Sequence, residues 1–135
     1  MNPFFADTFY YLALLNEDDE AHAKILTIAE HMVGRTVTTA WVLTEVADAL
    51  AAPGERGEFM RLLETLRASP RCTIVPAAQD LFDEGVALYG QRSDKEWSLT
   101  DCISFVVMRE HGITDALTGD HHFEQAGFKA LLKLP

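Results

Sequence analysis

Basic residues are scarce in this chain of 135 residues. It has 11 Lys and Arg against 21 Asp and Glu, which gives a formal net charge of −10. Proteins that coat nucleic acid or bind anionic membranes through their overall charge need the opposite balance. The composition therefore argues against both of these classes.

Cysteines and long apolar runs are also scarce. Cys72 and Cys102 are the only cysteines, and both lie in apolar segments, which indicates buried free thiols rather than a disulfide framework. The first residues lack the basic start and apolar stretch of a signal peptide. No run approaches the roughly 18 apolar residues that a membrane span needs. We therefore expect a cytoplasmic protein that does not bind membranes.

The rest of the composition is that of a globular protein, and its pattern indicates an α/β fold. A chain of this length can bury a core of its own, so we expect a single domain over residues 1–135. Strands are predicted at Phe4–Ala6, Arg35–Thr38, Cys72–Val75, Thr114–Leu117 and Phe128–Leu132, and helices at Thr8–Leu15, Ala21–Val33, Ala40–Ala52, Glu58–Arg67, Leu81–Tyr89, Leu99–Glu110 and His122–Gln125. This alternation predicts a parallel sheet with helices on both faces, and a site beyond the carboxyl ends of its strands.

Two aspartates follow predicted strands. Asp7 comes directly after Phe4–Ala6, and Asp120 follows another strand through Gly119, which lets the backbone turn sharply. Each could simply cap the helix that follows it. In a parallel sheet, however, the ends of both strands lie at the same edge.

Two further acids lie in apolar helices. Glu45 is surrounded by apolar residues on nearly all sides of its helix, where an unpaired carboxylate would cost several kcal/mol. Asp48, one turn later, is expected at a solvated edge. Asp101 opens the most hydrophobic helix and has the spacing of a capping box with Ser98, so a structural and a functional role are both open.

Four carboxylates in one pocket repel one another, and such a pocket needs bound cations or raised pKa values. Oxygen ligands favour Mg²⁺ or Mn²⁺. Zinc is disfavoured because no His or Cys pair has ligand spacing. His121 and His122 are adjacent, so on a helix we expect them to diverge as surface residues. The sequence has no readable Ser-His-Asp arrangement and no glycine-rich phosphate loop.

The acids and their surroundings resemble the PIN domain family, especially the VapC-like ribonuclease toxins of toxin–antitoxin pairs. The matching segments are Asp7-Thr8, Thr44-Glu45-Val46, Ser98-Leu99-Thr100-Asp101-Cys102 and Leu117-Thr118-Gly119-Asp120-His121-His122-Phe123. Together they span essentially the whole chain in the family's order.

This resemblance implies a three-layer α/β/α sandwich that cleaves RNA with a divalent metal, Mg²⁺ or Mn²⁺. The acidic quartet that it implies, both as catalytic groups and as metal ligands, is Asp7, Glu45, Asp101 and Asp120. The supporting hydroxyls are those of Ser98, Thr118 and Thr8. The family also implies a homodimer and a cognate antitoxin that blocks the site.

Two other functions remain open from the sequence. One is a PIN-like module that retains the acids but only binds a partner. The other is a metal-dependent phosphohydrolase with an aspartyl nucleophile. Such enzymes usually carry Asp-x-Asp on their first strand, whereas Asp7 is followed by Thr8-Phe9.

The low basicity suggests that RNA is recognised through local shape or an unpaired loop. The basic residues that could surround the site are Arg35, Arg92, Lys95, Arg109 and Lys129. A further surface is suggested by Phe9, Tyr10 and Tyr11, which exceed what one small core can hide. We therefore expect these aromatic residues to lie in a dimer interface.

Overall fold

Five parallel strands form one sheet in the computed structural model, which describes residues 3–31 and 34–133, without the side chains of residues 29–31. The strands are β1 (Phe4–Ala6), β2 (Thr36–Thr39), β3 (Cys72–Val75), β4 (Asp115–Leu117) and β5 (Lys129–Ala130). They are ordered β3-β2-β1-β4-β5, and each neighbouring pair is parallel. The predicted parallel sheet is therefore confirmed.

Helices cover both faces of the sheet. They are α1 (Thr8–Leu15), α2 (His22–His31), α3 (Ala40–Ala49), α4 (Arg56–Ala68), α5 (Gln79–Gln91), α6 (Leu99–Glu110) and α7 (His121–Gln125). The chain moves outward from β1 to β3 through α1–α4 and returns in the opposite direction through α5–α7. Because parallel crossovers are right-handed, the two groups of helices lie on opposite faces. The three-layer α/β/α sandwich is confirmed.

Predicted and observed boundaries agree at both ends for β1, α1, β3 and α6 and differ by one to three residues for the other elements. Helix α3 ends at Ala49 rather than Ala52, because Pro53 lacks an amide hydrogen and disfavours helical geometry in the residue before it. The last strand comprises Lys129–Ala130. The Leu131 amide still donates to the Ala116 carbonyl at 3.0 Å, a typical distance for a sheet hydrogen bond. The predicted helix end at Met32 and Val33 lies outside the described residues.

A cluster of aromatic rings forms the core between the sheet and helices α6 and α7. The ring of Phe105 lies 5.0 Å from that of Trp97 and 4.9 Å from that of Phe123, measured between centroids, and both pairs are edge-to-face. All three side chains are buried. This packing sets the position of α6 and α7 relative to the sheet.

The tyrosines of α1 are buried rather than exposed at the surface. Tyr10 is 9% exposed and Tyr11 is 1% exposed, and their rings contact each other edge-to-face at 5.2 Å. The prediction that these aromatic residues form an interface is therefore wrong. The small sheet accommodates them because α1 packs against both α2 and α3.

Both thiols are free, as predicted, with Cys72 half-buried in β3 and Cys102 buried in α6. Among the described residues, no helix combines the length and the apolar character needed to cross a bilayer.

Close packing of α5 on α6 provides a test of the fold. An added Cβ at Gly85 would lie 2.3 Å from Cγ1 of Ile103, so Gly85→Ala should lower the free energy of unfolding by about 1–3 kcal/mol. Gly90, on the same helix, has nothing within 4 Å of such a Cβ. Gly90→Ala should therefore stabilise the protein by about 0.5–1 kcal/mol. Urea denaturation measures both, and equal effects would contradict the packing.

Candidate active site

The first part of the site is built where β1 and β4 end. Ala6 pairs with Leu117, so the residues that follow, Asp7 and Thr118, lie side by side. Thr118 Oγ1 donates to Asp7 Oδ2 at 2.9 Å, and both residues are buried. The crossovers reverse direction at this point of the sheet, which is where ligand sites form in open parallel sheets.

Asp120 is positioned by the turn that follows β4. Its amide donates to Thr118 Oγ1 at 3.1 Å, and its Oδ1 accepts from the His122 amide at 2.9 Å, which caps α7. A Cβ at Gly119 would lie 2.6 Å from Cζ of Phe9, so only glycine fits this turn without displacing the ring. Asp120 therefore caps α7, a role that the sequence left open, and its side chain remains 30% exposed.

Glu45 reaches the same place from α3. This helix starts at the end of β2, where the Thr39 hydroxyl accepts from the Val42 amide at 3.1 Å. Glu45 is half-buried, and its Oε1 accepts from Thr8 Oγ1 at 2.6 Å. Thr8 follows Asp7 directly, so this bond ties α3 to the end of β1. Asp48 is exposed, as predicted.

Asp101 enters from the start of α6. The Ser98 hydroxyl accepts from the Asp101 amide at 3.0 Å, and the Ser98 amide donates to Asp101 Oδ2 at 3.3 Å. This is the capping box expected from the sequence. The same Oδ2 also lies 3.2 Å from Nδ1 of His122, and the residue is only 9% exposed. The carboxylate therefore combines a capping contact with a place in the site.

A cavity of about 530 Å³ joins these groups at the carboxyl edge of the sheet. It is lined by Asp7, Thr8, Phe9, Glu45, Glu96, Ser98, Asp101, Gly119, Asp120 and His122. The structure thus brings the four predicted acids, Thr8 and Ser98 into one cavity. Thr118 lies beneath it, fully buried and bonded to Asp7.

The electrostatics of the cavity disfavour the charged state of its deepest acids. Burial raises the pKa of Asp7 to about 7, with a further contribution from the charges of Asp101 and Glu45, although the Thr118 hydrogen bond opposes it. Burial and the charge of Asp120 also raise the pKa of Asp101. In the described part of the chain, no Lys or Arg forms an ion pair with any of the four acids.

His122 is a site residue that the sequence analysis missed. Both histidines were predicted to lie on the surface. The prediction is correct for His121, whose side chain is 66% exposed, and wrong for His122, whose side chain is 18% exposed. Their rings lie 4.4 Å apart, because both turn toward the Asp120 carboxylate at the start of α7. The sequence feature that could have revealed His122 is Asp120, because an aspartate that caps a helix accepts from the backbone amide two residues later.

Glu96 is a second cavity residue that the sequence analysis missed. It is an exposed residue that precedes Trp97 and lines the cavity. It lies in the irregular segment before α6, where no periodicity reveals which way a side chain faces.

Most of the basic residues considered from the sequence lie far from the cavity. The three that lie toward the amino edge of the sheet are Arg35 before β2, Arg109 in the last turn of α6 and Lys129 in β5. Arg92 pairs with Asp94 at 3.0 Å and its guanidinium lies 4.9 Å from the Trp97 ring centroid. Lys95 lines a neighbouring cavity of about 330 Å³.

Comparison with known proteins identifies one family. The model of the PIN domain family matches residues 4–129. The 23S rRNA-specific endonuclease VapC20 of Mycobacterium tuberculosis is 26% identical over 134 residues, which cover 92% of this chain and 94% of the relative.

Solved structures agree with this match. The crystal structure of Mycobacterium tuberculosis VapC20, described as a Sarcin-Ricin loop cleaving toxin, has a TM-score of 0.84 at 25% identity and covers 97% of this chain and 98% of its own. FitAcB from Neisseria gonorrhoeae has a TM-score of 0.66 at 16% identity, with 94% and 95% covered. A toxin–antitoxin complex from Klebsiella pneumoniae has a TM-score of 0.61 at 17% identity, with 87% of each chain covered. The last two likenesses show the fold alone.

The raised pKa of Asp7 predicts how the metal-free protein responds to pH. The folded-state pKa is about 7 and the ordinary value is 3.8, so between these values the folded state binds more protons than the unfolded state. Raising the pH through this window therefore favours unfolding. We expect the free energy of unfolding in EDTA to fall from pH 4 to pH 7, by roughly 4 kcal/mol at most.

Urea denaturation at several pH values in EDTA measures this slope. Asp7→Asn, which retains the shape but cannot ionise, should flatten it, while the residual slope reports Asp101, whose pKa is also raised. A wild-type protein whose stability rises across this window would contradict the assignment.

Proposed function

The chain belongs to the PIN domain family, as the sequence resemblance indicated, and we propose that it is a metal-dependent endoribonuclease that serves as the toxin of a toxin–antitoxin pair. The observation that carries this proposal is the convergence of four acids from four separate segments in one cavity. The activity named for the Mycobacterium tuberculosis relative supports it, because that relative matches over nearly the full length of both chains.

We propose that the acidic quartet holds Mg²⁺ or Mn²⁺. The donor set fits such an ion, because it offers carboxylate oxygens that lack Lys or Arg partners among the described residues. The residues that would hold the ion are Asp7, Glu45, Asp101 and Asp120. When bound, the ion lowers the pKa of the attacking water and neutralises charge on the phosphate.

The chain's own hydroxyl groups orient the acids. Thr118 donates to Asp7, and Thr8 donates to Glu45. Ser98 holds Asp101 through both halves of the capping box. Asp7, Glu45 and Asp101 are therefore fixed before substrate arrives, which lowers the entropic cost of assembling the reactive geometry.

We propose that the substrate is a structured RNA loop. With a net charge of −10 and an acidic cavity, the protein gains little from sequence-independent attraction to phosphates. Recognition then depends on the shape and unpaired bases of a loop. The structure of the relative is named for cleavage of the Sarcin-Ricin loop, so this loop is the first substrate to test. We propose that the activity is cytoplasmic.

We propose that a cognate antitoxin inhibits the enzyme by covering the cavity. A basic side chain of such a partner fits the cavity, because its carboxylates lack cationic partners in the part of the chain that the structure describes. The solved toxin–antitoxin complex from Klebsiella pneumoniae shares this fold.

Asp101→Asn separates catalysis from capping. Asparagine keeps the shape and can still accept from the Ser98 amide, but it removes one anionic ligand. We expect cleavage of a Sarcin-Ricin loop RNA with Mn²⁺ to fall by orders of magnitude, while stability in EDTA is unchanged or higher because repulsion is relieved. Single-turnover cleavage and thermal melting measure the two effects.

The control is Asp18→Asn, which changes an exposed acid away from the cavity. Mg²⁺ should raise the melting temperature of the wild type and of this control more than that of Asp101→Asn, since an ion that binds only the folded state stabilises it. An Asp101→Asn protein that melts several degrees lower yet cleaves normally would show that Asp101 only caps α6 and has no catalytic role. A wild type that binds the RNA without cleaving it would favour the binding-module alternative.

We also propose that the protein is a homodimer, and the surface that supports this is on α5. Phe82, Val86 and Tyr89 are 37%, 42% and 54% exposed, and their spacing of four and three residues places them on one face of the helix. One such stripe can pack against its own copy around a two-fold axis.

Light scattering at tens of micromolar tests the oligomeric state. We expect a dimer for the wild type and a monomer for Val86→Glu, which places a charge in the stripe. Met60→Glu is the control, because Met60 is 60% exposed on α4 and lies outside the stripe. A monomeric wild type, or a dimer that survives Val86→Glu, would contradict the interface.

A further inference from the structure

Two neighbouring histidines face one carboxylate oxygen at the start of α7. Nδ1 of His121 lies 3.7 Å from Oδ1 of Asp120, and Nδ1 of His122 lies 3.4 Å from the same atom. One potential ligand atom from each of the three residues lies within 4.8 Å of the other two. The three side chains therefore converge on one small volume.

These separations suit a metal ion. Ligands bound tetrahedrally to Zn²⁺ at about 2.0–2.1 Å lie roughly 3.3 Å apart. The separation between His122 and Asp120 is already close to this value. His121 is 66% exposed, so its ring is free to rotate through the remaining distance.

One of the histidines is already held in place. His122 is mostly buried, and its ring contacts Asp101 as well as Asp120. Both contacts are made by the same atom, Nδ1, which lies 3.2 Å from Asp101 Oδ2 and 3.4 Å from Asp120 Oδ1, so the ring already directs this nitrogen at two carboxylates. A ligand that is fixed before the ion arrives costs less entropy on binding.

The surroundings leave room for additional ligands. The cavity of about 330 Å³ beside the catalytic one is also lined by His121 and His122, together with Glu96. Water molecules and the Glu96 carboxylate can complete the coordination there. Lys95 lines the same cavity, but its ammonium lies 3.8 Å from the Asp94 carboxylate, which balances part of its charge.

The chemistry of this cluster differs from that of the acidic quartet. Mg²⁺ prefers oxygen ligands, whereas imidazole nitrogens favour ions such as Co²⁺ and Zn²⁺. We propose that Asp120, His121 and His122 form a second cation site, at the edge of the carboxylate cavity, that takes a transition-metal ion. The site goes beyond the proposed nuclease function, although Asp120 belongs to both sets of residues.

Co²⁺ is the probe, because its visible absorption reports nitrogen ligation and low coordination number. The titration is done with Mg²⁺ in excess to occupy the oxygen cluster, and calorimetry measures affinity in parallel. We expect wild type and Asp7→Asn to bind Co²⁺ at this site. His121→Ala should weaken binding by at least about tenfold, which even the loss of an outer-shell partner costs a metal site.

His111→Ala is the matched control. His111 is an exposed histidine whose ring contacts the Val107 carbonyl of its own helix at 3.0 Å, so its removal should leave Co²⁺ binding unchanged. Melting in EDTA verifies that His121→Ala is folded, as expected for an exposed side chain.

Two results would overturn the site. One is unchanged Co²⁺ affinity and absorption in His121→Ala. The other is loss of Co²⁺ binding in Asp7→Asn with retention in His121→Ala, which would place the ion among the carboxylates alone. Since every readout is metal binding, a failure to cleave RNA does not affect this test, and a failed test leaves the nuclease proposal intact.

Discussion

The hydrogen bond from Thr118 to Asp7 joins residues 111 positions apart, and the rest of the site depends on it. It exists because β1 and β4 pair in the register that sets Ala6 beside Leu117. Once Asp7 is placed, Thr8 follows it and reaches Glu45. Thr118 likewise holds the Asp120 amide. A shift of one residue in this register would turn the side chains of one strand to the other face relative to its neighbour, and Thr118 would no longer face Asp7.

The other half of the site is held by apolar packing. Trp97, Phe105 and Phe123 contact one another through Phe105, and the Trp97 indole donates to Gln125 at 2.9 Å. These contacts fix the start of α6 against α7, so that Asp101 meets His122 at 3.2 Å. The distance between Asp101 on α6 and His122 on α7 is therefore set by aromatic rings that take no part in the chemistry.

The sequence predicted what depends on local pattern. Alternating strands and helices defined the sheet, and Asp7 and Asp120 were recognisable because they follow strands. The expectation that Tyr10 and Tyr11 form an interface failed because composition does not reveal how much a core can hold, and α1 buries both. His122 was missed since its orientation depends on Asp101, a residue 21 positions earlier. Glu96 was missed because it lies in irregular backbone, where no periodicity assigns a face.

The distribution of charge sets an order of events at the cavity. Its acids have no Lys or Arg partner in the described part of the chain, and burial already opposes the ionisation of Asp7 and Asp101. A phosphate that approached these carboxylates directly would be repelled, and the low dielectric of a cavity strengthens that repulsion. On the proposed function, divalent cations therefore enter before RNA does. RNA affinity would then depend on divalent ions specifically, in contrast to a basic protein, where added salt of any kind weakens binding by screening.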